Sequence, residues 1–147
     1  MRIELIVGSS FLVIPTIIYG IYGSAVLFYQ GKNKVKELKE LPQITVFFPA
    51  WNEEKVIDMR IKNLADIDYP KNLIKVLIVD DASADKTRKE CLNAFKKYDL
   101  NGEIITNKKR KGTNYNYNLG IKKAKTEIIL TTDADVIFDK KAIKEGL

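Results

Sequence analysis

The sequence predicts an α/β protein in which helices cover a mostly parallel sheet, with one further helix at the N-terminus. Short β-branched apolar runs alternate with longer amphipathic runs, which predicts alternating strands and helices. A polar motif follows each of the four apolar runs. Because parallel strands need crossover connections, this alternation favours a parallel sheet with helices on its faces.

The N-terminal helix is predicted from residues 5–30, "LIVGSSFLVIPTIIYGIYGSAVLFYQ", which contain no charged side chain. A run of this length can cross a hydrocarbon core of about 30 Å, whereas the apolar part of a signal peptide has only about 7–15 residues. We therefore predict a transmembrane helix over residues 1–30, with the lipid bilayer as its partner. The lysine-rich "GKNKVKELKE" predicts a basic juxtamembrane linker over residues 31–43 and a cytoplasmic globular part over residues 44–147.

Composition excludes several classes of chemistry. The chain contains no histidine, which excludes Ser-His-Asp hydrolysis, Cys-His nucleophiles and histidine-containing zinc sites. The single Cys91 is typical of a reducing compartment. No Walker-type loop and no G-x-G-x-x-G is present, and the net charge of +6 is spread over many lysines, so nucleic acid is not predicted as a partner.

The globular part divides into predicted strands and helices in a regular order. The predicted strands cover residues 44–49, 73–80, 103–106 and 127–132, and the predicted helices cover residues 52–67, 85–98 and 115–124. Asn52 is the expected N-cap of the first of these helices. Cys91, Leu92 and Phe95 are the expected inner face of the second.

The four polar motifs, "PAWNEE", "DDASAD", "NKKRKG" and "DAD", each follow a predicted strand. Ligands bind outside the carboxyl ends of parallel strands, so the motifs are expected to form one site. Asp133 and Asp135 lie on either side of Ala134, and paired carboxylates of this kind suit Mg²⁺ or Mn²⁺. The alternative interpretation of "DAD" is a turn with helix-capping aspartates.

Taken together, "FFPAWNEE", "VLIVDDASADKT", the "KG…NLG" stretch and "IILTTDADV" resemble the family 2 glycosyltransferases over residues 44–138. The resemblance implies the Rossmann-like, nucleotide-binding half of a GT-A fold and transfer of a sugar from a nucleotide-diphosphate sugar, with a UDP-sugar as the expected donor. It also implies similarity to the membrane-anchored, polysaccharide-synthase-type members of the family.

The resemblance implies roles for individual residues. The implied nucleotide-sugar site comprises Pro49, Ala50, Trp51, Glu53, Asp80, Asp81, Lys111 and Asp133. Asp81 and Asp80 would accept a hydrogen bond from the base, and Asp133 and Asp135 would hold the Mg²⁺ or Mn²⁺ ion on the diphosphate.

The sequence departs from the family pattern in three motifs. Trp51 replaces the usual tyrosine, and Asn114, Tyr115 and Asn116 replace smaller residues. Ala82 replaces a glycine, so no positive φ is expected there. The basic run at residues 108–111 has two interpretations, contact with an anionic ligand or a solvated loop.

Two other functions remain open from the sequence. "VLIVDDASADKT" also resembles receiver domains, with Asp133 as the phosphoacceptor, although the lysine and hydroxyl residue that a receiver needs on later strands do not occur. A membrane-anchored binding module without activity is the other alternative.

About 110 residues follow the N-terminal run, fewer than a complete transferase of the resembled type is expected to need. We expect the general base and the acceptor site beyond Leu147, supplied by a missing C-terminal half or by a second polypeptide. The chain is therefore predicted to be a donor-binding N-terminal portion that is inactive alone, with one side of the strand that ends at Thr132 left uncovered.

Overall fold

A computed structural model describes the backbone of residues 2–28 and 40–147 and the side chains of residues 13–28 and 40–147. The chain divides into two compact units, Met1–Glu37 and Leu38–Leu147. The first unit contains helix α1, Arg2–Phe28, which includes Pro15. The second unit contains the sheet and the other helices.

The predicted membrane span is not supported by helix α1. Within the described part of the chain, no helix combines the length and the apolarity that crossing a membrane requires. The predicted single-pass membrane localisation is therefore wrong, and the predicted bilayer partner has no support. Most of the predicted linker, residues 31–39, lies outside the described residues.

The second unit confirms the predicted α/β class with a parallel sheet. Strands β1 (Ile44–Ala50), β2 (Ile74–Asp80), β3 (Asn101–Thr106) and β4 (Ile128–Thr131) form one sheet in the order β3-β2-β1-β4, and all neighbouring strands are parallel. The helices are α2 (Ile57–Ala65), α3 (Thr87–Tyr98), α4 (Thr113–Lys123) and α5 (Ala142–Gly146).

Helices cover both faces of the sheet because successive strand side chains point to opposite sides. On one face Phe48 packs with Ile61 of α2 and Phe95 of α3, and on the other face Phe47 packs with Tyr117 of α4. The core therefore has three layers.

The inner face of α3 differs from the prediction at one position. Cys91 and Phe95 are buried as expected, but Leu92 is 43% exposed and Ala94 is fully buried instead. Residues Cys91, Ala94 and Phe95 follow the i, i+3, i+4 spacing of one helix face, and Leu92 lies off that face.

The strand register brings the carboxyl ends of the strands to one edge. Ala50 pairs with Asp80, Asp80 with Thr106, and Phe47 with Thr131. The loops that follow the four strands are therefore neighbours. Among the described residues, β4 is an edge strand that pairs with β1 and has no strand on its other side. This agrees with the prediction that one side of the strand ending at Thr132 is left uncovered.

The loops after β1 and β2 are bonded to each other, and this changes two predictions. The backbone N–H of Asn52 donates to Ser83 Oγ at 2.9 Å, and that of Ala84 donates to Asn52 Oδ1 at 2.9 Å. Asn52 is therefore not a helix cap, and α2 begins at Ile57 with Val56 at its N-cap. Ala82 has φ 59°, so the expectation that it avoids a positive φ is wrong.

The left-handed conformation costs a non-glycine residue such as Ala82 about 1–2 kcal/mol. Hydrogen bonds between the two loops, which contribute about 0.5–1.5 kcal/mol each, offset that cost. Besides the two bonds of Asn52, the N–H of Glu53 donates to Thr87 Oγ1 and the N–H of Glu54 donates to Asp85 Oδ2. These bonds fix the backbone on both sides of Trp51.

Candidate functional site

A cavity lies at the carboxyl edge of the sheet, where the loops after the four strands meet. Seven of the residues predicted for the site line it: Pro49, Ala50, Trp51, Glu53, Asp81, Asp133 and Asp135. They come from the end of β1 and from the loops after β1, β2 and β4, which are separated by long stretches of sequence. The parallel register of the strands is what brings them together.

Two predicted residues do not line this cavity. Asp80 is buried, and its Oδ1 accepts a hydrogen bond at 3.1 Å from the backbone N–H of Ser83. Lys111 extends its ammonium group over the ring of Tyr115, 5.3 Å from the ring centroid. The structure thus gives Asp80 a contact within its own loop, and it places the Lys111 side chain away from the lining.

Asp81 organises the loop after β3. Its Oδ1 accepts from Asn107 Nδ2 at 2.8 Å and from the backbone N–H of Lys111 at 2.7 Å, and its Oδ2 accepts from the N–H of Gly112 at 2.9 Å. Burial raises the pKa of Asp81, but these hydrogen bonds together outweigh burial, so the pKa lies below its usual value. Asp81 is therefore an ionised carboxylate at neutral pH.

Sequence reasoning missed the asparagine pair beneath this loop. Asn107 Nδ2 also donates to Asn116 Oδ1 at 2.7 Å, and Asn116 is buried and lines the cavity. The sequence carried a signal, because Asn116 and Gly120 are four residues apart and form the buried side of α4. The structure shows that Asn116, which departs from the family pattern, belongs to the site.

The basic run contributes one side chain to the lining, that of Arg110. The guanidinium carbon of Arg110 lies 3.6 Å from the centroid of the Trp51 ring, which is cation–π geometry. Trp51 is 42% exposed, so the stacked pair stands at the solvent-facing side of the cavity. Of residues 108–111, Arg110 alone lines the cavity, and contact of this run with an anionic ligand stays a prediction.

The "DAD" motif forms a turn after β4 that is held from the α4 face of the sheet. Tyr117 donates from its hydroxyl to Asp133 Oδ1 at 3.0 Å and to the backbone oxygen of Thr132 at 3.2 Å. The Tyr117 ring meets Phe47 edge to face at 5.6 Å. Burial and the contact with Asp133 raise the pKa of Tyr117, so it remains a protonated donor at neutral pH.

The donor set of this turn fits a hard divalent cation. Asp133 and Asp135 are exposed while Ala134 between them is buried, so both carboxylates are accessible from the cavity. Across residues 13–28 and 40–147, no group of three or more His, Cys, Asp or Glu side chains is arranged to hold a metal ion. Two carboxylates that share an ion with phosphate oxygens and water are the usual arrangement for Mg²⁺.

Glu53 adds negative potential to the same cavity. Burial raises its pKa, and the charges of Asp135 and Asp85 raise it further. A cation bound at Asp135 would relieve this repulsion. The cavity therefore presents acidic groups on the β4 side and a guanidinium at its entrance.

Comparison with known proteins gives a consistent family assignment. Residues 45–147 match the family model described as "Glycosyl transferase family 2". The chain is 34% identical over 111 residues to the probable glycosyltransferase YdaM of Bacillus subtilis, an alignment that covers 74% of this chain and 26% of YdaM. It is 37% identical over 93 residues to the beta-monoglucosyldiacylglycerol synthase of a Nostoc species, covering 63% of this chain and 20% of that protein.

Solved structures give the same result. The mannosyltransferase PcManGT of Pyrobaculum calidifontis, in complex with GDP-Man and Mn²⁺, superposes with a TM-score of 0.66 at 26% identity and covers 86% of this chain and 39% of that one. Residues 1–349 of Staphylococcus aureus TarS, in complex with UDP-GlcNAc, superpose with a TM-score of 0.65 at 28% identity. This match covers 71% of this chain and 30% of the TarS chain. The chain thus spans less than half the length of each of these proteins. The matches support the prediction of a glycosyltransferase. They give no support to the alternative prediction of a receiver domain.

Proposed function

The chain belongs to the family 2 glycosyltransferases, and from that premise we propose that its cavity is a donor site for a nucleotide-diphosphate sugar and a divalent cation. The observation that carries the proposal is that seven predicted residues, from the end of β1 and from the loops after β1, β2 and β4, meet in one cavity. We assign donor binding to residues 44–147 and the transfer of the sugar to an acceptor to the whole protein.

Asp81 supports recognition of the base. The Asp81 carboxylate accepts hydrogen bonds from Asn107, Lys111 and Gly112, and the Asn116 side chain also stabilises its ionised form. An ionised carboxylate of this kind can accept a charge-assisted hydrogen bond from the ring N–H of uracil. We therefore propose a UDP-sugar as the donor, with Trp51 as the aromatic wall beside it.

Arg110 supports binding of the diphosphate. Its guanidinium is the one cationic group in the described lining of the cavity, and a positive charge in a cleft attracts anions more strongly than one on an open surface. The backbone N–H groups of Lys111 and Gly112 already bond to Asp81, so the loop is held in place before any ligand arrives.

Asp133 and Asp135 would hold Mg²⁺ or Mn²⁺ by their carboxylate oxygens. Such an ion would neutralise the negative charge that grows on the diphosphate as the sugar departs. PcManGT, whose structure contains Mn²⁺ and GDP-Man, provides a precedent at 26% identity. Tyr117 would keep Asp133 oriented toward the ion through its hydroxyl.

Isothermal titration calorimetry of the full chain with UDP tests the proposal. We expect binding that depends on Mn²⁺, is removed by a chelator and is weaker with GDP. Asp135→Ala should weaken UDP binding in the presence of Mn²⁺ by about tenfold to a hundredfold, because it removes a charged contact of roughly 1.5–3 kcal/mol.

Asp68→Ala is the matched control. Asp68 forms an exposed ion pair with Lys144 at 2.9 Å, far from the cavity lining, and such pairs contribute only about 0–1 kcal/mol. This variant should bind as the wild type does. If the wild-type chain bound neither UDP nor GDP with Mn²⁺ present, the donor-site proposal would be wrong.

A further inference from the structure

Arg60 of α2 is a fully buried cation without a carboxylate partner. Its relative exposure is 0%, and it forms no ion pair within the described ranges. Its guanidinium lies between two aromatic rings, 5.5 Å from the centroid of Phe48 and 4.4 Å from that of Phe138. Its Nε has no hydrogen-bond partner. A buried charge without an oppositely charged partner lowers the stability of a protein. Core packing alone therefore does not explain why an arginine lies at position 60.

The hydrogen bonds of Arg60 lead to the segment that carries the acidic pair. Its Nη2 donates to Thr132 Oγ1 at 3.2 Å and its Nη1 donates to Asn63 Oδ1 at 3.0 Å. Thr132 is the residue directly before Asp133, and its hydroxyl is reached from a helix 72 positions earlier in the chain.

Asn63 carries the contact to the other end of the same segment. Its Nδ2 donates to the backbone oxygen of Phe138 at 2.9 Å, and its Oδ1 accepts from the Phe138 N–H at 2.9 Å. Arg60 and Asn63, one helical turn apart on α2, thus hold both ends of residues 132–138. Asp133 and Asp135 lie between these two anchors.

The charge of Arg60 also acts on the acidic pair. Burial lowers the pKa of Arg60 to about 10, and the charge of Asp135 acts in the opposite direction, so the guanidinium is cationic at neutral pH. A fixed cation that attracts Asp135 offsets part of the repulsion between the carboxylates of Asp135 and Asp133. It therefore favours a conformation in which both face the cavity.

We propose that Arg60 is a positioning residue that sets the conformation of residues 132–138 and, through it, the direction of the Asp133 and Asp135 carboxylates. Tyr117 holds this turn from the α4 face of the sheet, and Arg60 holds it from the α2 face. The consequence for metal and nucleotide binding rests on the proposed function, whereas the conformational role does not.

Hydrogen exchange of the full chain, measured by mass spectrometry, tests the conformational role without any ligand. Arg60→Met keeps an unbranched apolar side chain between the two rings but removes the charge and both hydrogen bonds. We expect amide exchange in residues 132–138 to become about tenfold faster or more, as the loss of bonds from a charged donor implies, with exchange in β1 and β2 unchanged. Arg60→Lys keeps the charge but loses the two-donor geometry, and it should give an intermediate rate.

Arg88→Met on the exposed side of α3 is the matched control and should leave every rate unchanged. Unchanged exchange in residues 132–138 of Arg60→Met would overturn the inference. So would a rise that extends equally over β1 and β2, because that is the result expected of a merely structural arginine. If Arg60→Met does not fold, Arg60→Lys decides between the same two outcomes.

Calorimetry adds a second measurement. Arg60→Met should weaken Mn²⁺-dependent UDP binding by about tenfold, and Arg60→Lys should restore part of it. Equal binding by the wild type and Arg60→Met would contradict the inference. Absence of binding by the wild type would contradict the proposed function, and the exchange rates would still decide the role of Arg60.

Discussion

Tyr117 shows how one side chain joins the core to the candidate site. Its ring packs on Phe47, and its hydroxyl bonds to Asp133 and to the backbone of Thr132. The sequence alone did not single out this tyrosine, because its role depends on a contact with a residue 16 positions later. The contact exists only when α4 packs against the sheet beside β4.

Tyr117→Phe should keep the fold and weaken UDP binding in the presence of Mn²⁺ by about threefold to tenfold, because a net contribution of roughly 0.5–1.5 kcal/mol is lost. The ring contact with Phe47 remains in this variant, so the midpoint of thermal unfolding should change little. Calorimetry and a thermal melt check the two expectations.

Tyr115→Phe serves as the control for this change. Tyr115 is 47% exposed on the same helix and should tolerate the loss of its hydroxyl. If the two variants bound UDP equally well, the hydroxyl of Tyr117 would have no part in orienting Asp133.

Helix α4 packs on the sheet through a position that admits no side chain. A Cβ atom placed on Gly120 would lie 2.1 Å from Cε2 of Phe47, which is fully buried. Real contacts of this kind are not shorter than about 3 Å, so Phe47 or the helix would have to move. Gly120 is therefore required by packing, and the "KG…NLG" pattern has a structural reason at this position.

Gly120→Ala should destabilise the protein by about 1–3 kcal/mol, which is the usual cost of overpacking a filled core. The helix-propensity gain of about 1 kcal/mol does not offset a contact this short. Urea unfolding monitored by circular dichroism should show a lower midpoint. Gly146→Ala, where a Cβ would meet nothing within 4 Å, should leave the midpoint unchanged or raise it. Equal midpoints for the two variants would contradict the close approach of α4.

Two carboxylates, the half-buried Asp85 and the buried Asp81, hold the loops of the second unit through hydrogen bonds. Asp85 accepts hydrogen bonds from Thr87 and from the N–H of Glu54. Burial raises the pKa of Asp85, but these bonds together outweigh burial, and the pKa lies below 3.8. Asp81 has a lowered pKa of similar origin. Because the native pKa values are below the unfolded values, the stabilisation is full well above pH 3.8 and is lost as the pH falls through the native values.

Asp85→Asn should therefore lower the free energy of unfolding at pH 7 by about 1–2 kcal/mol and make it less sensitive to acid. Urea denaturation at intervals from neutral pH down to about pH 3 measures both effects. The wild type should lose stability more steeply than Asp85→Asn below about pH 4. Parallel curves for the two proteins would show that Asp85 does not link folding to pH.

Much of the architecture was predictable from local patterns. The apolar runs placed all four strands within a few residues of their observed bounds, since a buried parallel strand requires a continuous apolar stretch. The N-terminal run, in contrast, predicted a membrane span that no helix in the described part of the chain supports.

The sequence by itself determined the α/β class, the order of the elements and the common edge at which the four polar motifs meet. These follow from periodicity and from the direction of parallel strands, and both are local or topological properties. Only the tertiary structure decided that Arg110 rather than Lys111 lines the cavity, that Ala82 adopts a positive φ, and that Arg60 lies beneath the acidic turn. The physical reason is that hydrogen bonds between residues about 30 to 70 positions apart set the loop conformations and side-chain directions, and no local pattern in the sequence encodes such bonds.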